Sequence, residues 1–461
     1  MMGADERQLT ASPAEWDEFR AANPDVVEVD VFIIDVNGLG LGKRLNVDDV
    51  RRVYTAGLQY SACAPVLDCR GHGQDALGIG GADGDPDASA FPLPGTLCRV
   101  PWARLPTAQV LCTMRDVAAG QPLWFDPREI LAGVVARCRA DGIHPVVACE
   151  LEFYLIDPKR TADGRVALAA LKPGTEPPRR AANLSIDAVE SAADFLRAVN
   201  AAAAAQCVPL CGAVAEYGIG QYEINLQHVA DPLLATDHAV LLKRIVRGVA
   251  RSLGMDATFM AKPFADQTGS GQHVHVSVVD ARGGNRFGAD GGEALLGSAI
   301  AGLQALMYES TALFAPNFNS YRRYLGAFVP TTRDWGYNNR SVAFRVPVAH
   351  GAGRRVEHRV AGADASPHLV VAAILAGLHH GITRRLTPTA PIEGRIDGAL
   401  NGGGGTGFPA SLHDALNRLE RSELLAGYLP AQFPRLYADL KRGEYGELIE
   451  QLFVREYDFY L

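Results

Sequence analysis

The sequence predicts a mixed α+β protein made of a small N-terminal domain and a larger C-terminal one. Three observations carry this reading. The 461 residues are too many for one ordinary domain, at about 150 residues per domain. Alternating, β-branched runs at 25–36, 145–156 and 273–278 are interleaved with long stretches of helical spacing. The segment 115–127 (RDVAAGQPLWFDP) fits neither pattern. It places a boundary near residue 118 and divides the chain into 1–118 and 119–461.

In chain order, 25–36 (DVVEVDVFIIDV) reads as a strand, and NGLGLGK (37–43) as the Gly-rich turn after it. Cys69 to Pro94 is dense in Gly, Asp and Pro and reads as largely loop. A helix (REILAGVVARCRA) begins after Pro127, and 145–156 is a second strand. Ala, Leu and Glu dominate 187–206, which predicts a helix. The segment 233–254 has helical apolar spacing and ends at Gly254, a usual stop. HVHVSV (273–278) alternates as a strand does, and further helices are expected at 293–313, 366–384 and 434–453. GALNGGGGTG (398–407) reads as a low-complexity loop, and its glycines lack the Lys-Ser/Thr ending of a phosphate-binding loop. There is no internal repeat.

Composition narrows the function classes. Hydrophobic residues are 48% and charged residues 21%, which excludes disordered, collagen-like and coiled-coil chains. A net charge of −8 argues against a dedicated nucleic-acid binder. The start (MMGADERQLT) has no basic segment followed by an apolar core, so no secretory signal is expected. The best apolar run, 369–378, is far short of the roughly 20 residues that span a bilayer, so no membrane association is expected. Eight scattered cysteines form no CxxC pair, which predicts reduced thiols and a soluble, cytoplasmic protein.

Several residues can carry chemistry. Glu150 and Glu152 sit one residue apart in an apolar strand, so both project from one face. The alternative is a solvated face. Glu216 and Glu223 bracket EYGIGQYE; an odd spacing sends them to opposite faces unless Gly218 and Gly220 break the strand. Otherwise they are surface acids around a turn. His273 and His275 alternate with Val, so they point the same way and suit metal or phosphate, or are ordinary strand histidines. Arginines cluster at 319–324, 338–345 and 354–359, with Glu357 in the last group. Such clusters suit carboxylate and phosphate recognition; the other reading is an ion-paired surface, less apt for Arg345 inside the apolar run VAFRVPV. Together these are five glutamates, a histidine and arginines. Hard carboxylate ligands favour Mg²⁺ or Mn²⁺, and such cations with arginines are the equipment of phosphoryl transfer from a nucleotide.

These motifs, in this order, resemble the glutamine synthetase superfamily from about residue 29 to the C-terminus. The matching pieces are DVNGLGLGKRL (35–45), ELEFYL (150–155), EYGIGQYEINL (216–226), KPFADQTGSGQHVHVS (262–277), NSYRR (319–323), NNRSVAFRVP (338–347) and RRVEHR (354–359). The resemblance implies a small N-terminal β-grasp domain and a larger catalytic domain with an antiparallel sheet flanked by helices. It implies a homo-oligomer, commonly a dodecamer of two hexameric rings, with each active site between one subunit's N-terminal domain and its neighbour's catalytic domain. It implies ATP and two to three Mg²⁺ or Mn²⁺ per site. Glu152, Glu216 and Glu223 match the ligands of the metal near the amino-acid substrate, and Glu150, His273 and Glu357 those of the metal at the ATP phosphates. His275 and Ser277 match nucleotide-contacting positions. Arg340, Arg345 and Arg355 match arginines around the transferring phosphate. Gly269, Arg323, Arg340 and Arg359 match the positions that hold substrate, L-glutamate. Thr268 stands where many members carry Asn, a departure at one substrate contact.

The chemistry so implied is activation of the glutamate γ-carboxyl as γ-glutamyl phosphate, followed by attack of a nitrogen nucleophile. An acceptor must take the proton of the attacking amine. In the family this is an N-terminal-domain Asp; Asp68, Asp75 and Asp85 are the candidates here, with Asp68 preferred. Ammonia-using members carry a Glu on a flap between NSYRR and the NNR segment. Here the flap reads YLGAFVPTTRDWGYNN (324–339), with Ala327, Phe328 and Val329 and no acid before Asp334. In this, and in WGYNNR and PLPGTLCRVPW (92–102), the chain resembles the γ-glutamyl-amine ligases, glutamate–putrescine ligase and its relatives. The expectation is therefore an ATP-dependent ligase joining glutamate to a polyamine such as putrescine, or to a monoamine. The alternatives are an ordinary glutamine synthetase using ammonia and, remotely, a catalytically dead ring serving as scaffold. The loop 398–412 holds no Tyr, so control by adenylylation of a tyrosine there is not expected.

Overall fold

The computed structural model describes residues 10–117, 119–326, 329–396 and 407–450. Two sheets form on either side of the connector between Asp116 and Pro127. Strands β1 (Glu28–Ile34), β2 (Gly40–Asn46), β3 (Leu58–Ser61), β4 (Asp87–Pro92), β5 (Cys98–Arg99) and β6 (Thr107–Asp116) make the first, in the order β2–β1–β6–β4–β3 with β5 alongside β6. β1 runs parallel to β6, and the other pairs are antiparallel. One expectation is corrected here. The Gly-rich turn ends at Leu39, and Gly40 and Gly42 continue into β2. At Gly42 a Cβ would come within 2.2 Å of the Val31 carbonyl, so glycine is what lets β2 lie against β1. The 69–94 loop also contains β4, whose Ala88 and Ala90 are buried.

The second sheet contains β7 (His144–Ile156), β8 (Leu210–Ala215), β9 (Gln221–Leu226), β10 (Asp256–Thr258), β11 (Gln272–Val279), β12 (Trp335–Tyr337), β13 (Phe344–Val346) and β14 (Val356–His358). Its order is β12–β13–β14–β11–β7–β9–β8, with β10 on the end of β7. It is antiparallel except for the β12–β13 pair, which is parallel. The fold is α+β, as expected.

Helices cover this sheet. Pro127–Ala140 starts where Asp126 accepts a hydrogen bond from the Arg128 amide at 2.9 Å, with Pro127 at the first position. Pro232–Ser252 starts in the same way at Asp231, whose side chain accepts from the Leu233 amide. The expected helix 187–206 is two, Ile186–Ser191 and Ala193–Ala205, broken at Ala192 (φ −95°, ψ 12°). The expected helix 293–313 is Gly292–Leu306 followed by the short turn Thr311–Phe314. Pro367–Arg384 agrees with expectation. The C-terminal helix is Phe433–Ile449, capped at Glu450; residues 451–453 of its expected span, and all but Gly407 of the Gly-rich loop 398–407, lie outside the described residues.

We place the domain boundary in the 116–127 connector; residue 118 itself lies outside the described residues. The halves are tied together across it. Arg244 pairs with Asp30 of β1 at 2.6 Å, and the fully buried Lys441 donates to Asn37 Oδ1 and to Glu444. No described helix is long and apolar enough to cross a membrane, and all eight cysteines are free.

Candidate active site

β7 supplies the floor of the site. Period-two alternation sends Glu150 and Glu152 to one face, and the strand register aligns the rest. His273 lies opposite Glu150, Glu223 opposite Glu152, Glu357 opposite His275, and Arg345 opposite Glu357. Directly opposed residues share a face. Five strands therefore present one row of acids, histidines and an arginine.

Glu216 reaches this row by another route. β8 ends at Ala215, and the 216–220 connector turns the chain into β9. Gly220 takes φ +73°, and a Cβ on Gly218 would lie 1.9 Å from the Tyr154 hydroxyl. The two glycines break the strand, so Glu216 and Glu223 converge despite their odd spacing.

Three groups of donor atoms result, each within 4.8 Å of one another: Glu152, Glu216 and Glu223; Glu150, Glu223 and His273; and Glu150, His275 and Glu357. His275 Nε2 lies 2.8 Å from Glu150, and His273 Nδ1 lies 3.5 Å from Glu150 and 3.9 Å from Glu357. The first group is the expected trio. The second expected trio, Glu150, His273 and Glu357, is divided: Glu150 and His273 group with Glu223, and Glu150 and Glu357 with His275, a position matched only to nucleotide contact in the sequence. Carboxylate oxygens throughout, with one imidazole nitrogen in two of the three groups, suit a hard divalent cation such as Mg²⁺ or Mn²⁺.

The charge balance points the same way. Burial, then the charge of Glu152, pushes Glu216 up to about 7. Burial and the neighbouring carboxylates also push Glu223 upward. Burial opposes ionisation of Glu150 and Glu357 too, but in Glu150 the bonds from His273 and His275 win. In Glu357 the charge of Arg359, helped by both histidines, lowers the carboxyl to about 2. At Glu216 and Glu223 the neighbouring carboxylates thus repel one another, a local excess of negative charge that a divalent ion would relieve.

Arginines close the cavity, whose volume is about 430 Å³. Arg345 donates to Glu357 at 2.7 Å and to Asn338 at 3.0 Å, and Arg359 also bonds Glu357. Arg323 is buried and donates to the Val360 carbonyl. Arg355 donates to His275 Nδ1 at 3.0 Å, and Arg340 stands exposed at the rim. Gly269 packs so closely that a Cβ would be 2.7 Å from both the Ala261 carbonyl and Arg323. Thr268 bonds the Gln221 side chain at 2.6 Å.

Two expected residues stand elsewhere. Ser277 lines a neighbouring cavity with His228 and Arg355. Asp68 lies in the N-terminal half, buried, and its carboxylate accepts from the Arg70 and His72 amides and from the Arg70 and Gln74 side chains. These bonds outweigh its burial and hold it at about 2. Asp75 and Asp85 are likewise outside the carboxylate cavity; Asp75 accepts from the Ala82 amide, and Asp85 bonds Ser61. Of the flap, Ala327 and Phe328 lie outside the described residues, while Val329 is buried against the cavity. Asp334 does not line it.

Gln221 was not singled out in the sequence. It binds the Gly269 carbonyl and Ser270, fixing the 268–270 loop beside Glu152, whose carboxylate accepts from the Gly271 amide at 2.7 Å. Its place two residues before Glu223 on one strand face was the available signal. Asn338, the partner of Arg345, is held at φ +48° and left none.

Residues 125–460 match the family model for the glutamine synthetase catalytic domain. The chain is 39% identical to gamma-glutamylputrescine synthetase PuuA of Escherichia coli (strain K12), over 96% of this chain and 93% of that one. It is 32% identical to glutamate–isopropylamine ligase of a Pseudomonas species, over 89% and 90%. A solved structure of GmaS without ligand superposes with a TM-score of 0.80 at 27% identity, covering 96% of this chain and 99% of that one. The acid-and-histidine face, the family match and these similarities agree: the chain belongs to the glutamine synthetase family.

Proposed function

We propose that the protein is an ATP-dependent ligase joining the γ-carboxyl of L-glutamate to an organic amine through γ-glutamyl phosphate. The observation that carries this is the face on which Glu150, Glu152, Glu216, Glu223, His273 and Glu357 gather under Arg345 and Arg359, with Val329 rather than an acid at the flap. Similarity to enzymes named for putrescine and isopropylamine supports an amine as the acceptor, a polyamine such as putrescine or a monoamine.

Glu152, Glu216 and Glu223 would hold one divalent ion, and Glu150, His273 and Glu357, with His275 beside them, another; Mg²⁺ or Mn²⁺ there supplies Lewis-acid neutralisation of phosphate charge. The side chains of this chain do the rest. Arg340, Arg345 and Arg355 surround the space for the transferring phosphoryl group, and fixed guanidinium donors stabilise the charge that develops on its oxygens. Arg323, Arg359 and the close backbone at Gly269 form the wall against which glutamate binds. Val329 excludes water and leaves the acceptor's carbon chain an apolar contact.

The attacking amine must lose a proton, and Asp68 is our candidate for that role. It stands apart from the cluster within one chain, so the proposal places it in a neighbour's site within a ring assembly, a dodecamer of two hexamers. Eight free thiols fit the reducing cytoplasm. The test is ADP release with glutamate, ATP and Mg²⁺, given either ammonium or a panel of mono- and polyamines. Turnover with ammonium alone, and with no amine, would return the protein to the ordinary glutamine synthetases.

A further inference from the structure

A second cavity, of about 640 Å³, shares no lining residue with the carboxylate cavity. It lies between Asn37–Leu39, Cys69–Arg70, the helix Pro232–Ser252 and the C-terminal helix. Lys243 and Arg247, one helical turn apart, stand on its wall over the same ring, that of Phe259, at 5.8 and 5.2 Å from its centre. Lys243 is 4% exposed, and among the described residues its ammonium donates only to the Ala365 carbonyl, at 2.8 Å. Among the described residues, Arg247 makes no hydrogen bond, and no carboxylate stands within ion-pair distance of either cation.

The other charges facing this space do not offset them. Arg70 is committed to Asp68 and Glu447, and Glu444 to Lys441 and the Cys69 amide. Asp364 gives one oxygen to Asn317 and Ser320; its other oxygen is unbonded. Arg322 lies over Phe318. Three cations thus face one partly satisfied acid. Burial, then the Arg247 charge, pushes Lys243 down to about 7, with Asp364 only partly opposing them, so a bound anion would favour its charged form. The rest of the wall mixes Asn37, Thr258, Asn317 and Asn319 with apolar surface: Met260 is 42% exposed, and Phe318 stacks on Tyr445 at 5.6 Å.

We propose that this cavity binds a small organic anion, its phosphate or carboxylate head on Lys243 and Arg247 and its apolar body along Phe259, Met260 and Phe318. The volume suits such a molecule, and a guanidinium fork beside an ammonium matches either head. A ligand there touches the loop after Asp68 and the segment before Arg323, so it sits where an effector reaches both. The inference is independent of the ligase reading.

Titration calorimetry on the intact protein, saturated with ADP and Mg²⁺ to occupy the carboxylate cavity, tests it; the heat of ADP binding reports separately on the ligase reading. Phenyl phosphate and phenylacetate are the probes, and benzyl alcohol is the neutral control. The expected result is one phenyl phosphate or phenylacetate per chain, weakened at least tenfold by Arg247→Gln and by Met260→Glu, with no binding of benzyl alcohol. Which acid binds more tightly tells the phosphate source from the carboxylate source. If neither acid binds, if both variants bind as the parent does, or if benzyl alcohol binds equally well, the cavity is not an anion site.

Discussion

Arg345 contributes more than charge. One nitrogen holds Glu357 and another holds Asn338, so its fork is fixed before any phosphate arrives. Arg345→Lys keeps the charge and loses that geometry. We expect kcat to fall by about 10²–10³-fold, with a melting temperature close to that of the parent; unchanged kcat would remove Arg345 from the phosphoryl site. Glu216 gives a pH prediction. Its carboxyl is raised to about 7, so between the ordinary carboxylate range and pH 7 the folded, metal-free protein binds a proton that the unfolded chain does not. Stability of the metal-free protein attributable to this group therefore falls as pH rises through that window. A cation needs the ionised form, so Mg²⁺ affinity should rise over the same interval. Melting curves and Mg²⁺ titrations from pH 5 to 8 should show both trends, flattened in Glu216→Gln; parallel curves for parent and variant would contradict this. At this scale much was legible. Glu150 and Glu152 followed from strand alternation alone, because period two admits no other placement. Gln221 and Asn338 did not: the partner of Gln221, Gly269, is 48 residues away, and Asn338 meets Arg345 only because its backbone takes φ +48°.

Elements place these residues through a few tight constraints. Gly218→Ala puts a methyl group onto the Tyr154 hydroxyl and displaces the connector carrying Glu216. It should cost about 1–3 kcal/mol of stability and a larger share of activity, measured by denaturant unfolding and ADP release. Beneath the sheet, Asp237 joins three helices: it accepts from Arg128 at 2.9 Å and meets His368 at 2.9 Å; Asp237 and His368 are buried, and Arg128 mostly so, with 18% of its side chain exposed. Burial opposes its ionisation, but Arg128 and His368 prevail and hold it at about 2. A depressed carboxyl stabilises the fold above its unfolded value near 4, and that contribution is lost as pH falls from there towards 2. Asp237→Asn leaves Arg128 buried without its counter-charge and should cost about 3–5 kcal/mol, seen as a lowered denaturation midpoint at neutral pH. Helices with an Asp start and Pro at the first position were readable from sequence. The break at Ala192 was not, since no Gly or Pro marks it, and β2 was hidden because the glycines that let it approach β1 also read as a turn.

The assembled molecule is where the sequence said least. Asp68 sits in the N-terminal half, sealed by Arg70 and Gln74 and braced by Glu444 and Glu447 of the C-terminal helix, while the carboxylate cluster faces elsewhere. A single chain therefore does not combine them; the ring proposed above, in which neighbours would share sites, would bring them together. Co-expressing Asp68→Asn with Glu152→Ala should restore roughly a quarter of parental activity if each site draws on two subunits; no rescue would keep each site within one chain. The central claim concerns the acceptor. Purified enzyme with glutamate, ATP and Mg²⁺ should release ADP when given putrescine or another alkylamine, with kcat/KM well above that for ammonium, and form the γ-glutamyl amide in equal amount. ADP release with ammonium and none with any amine would contradict it.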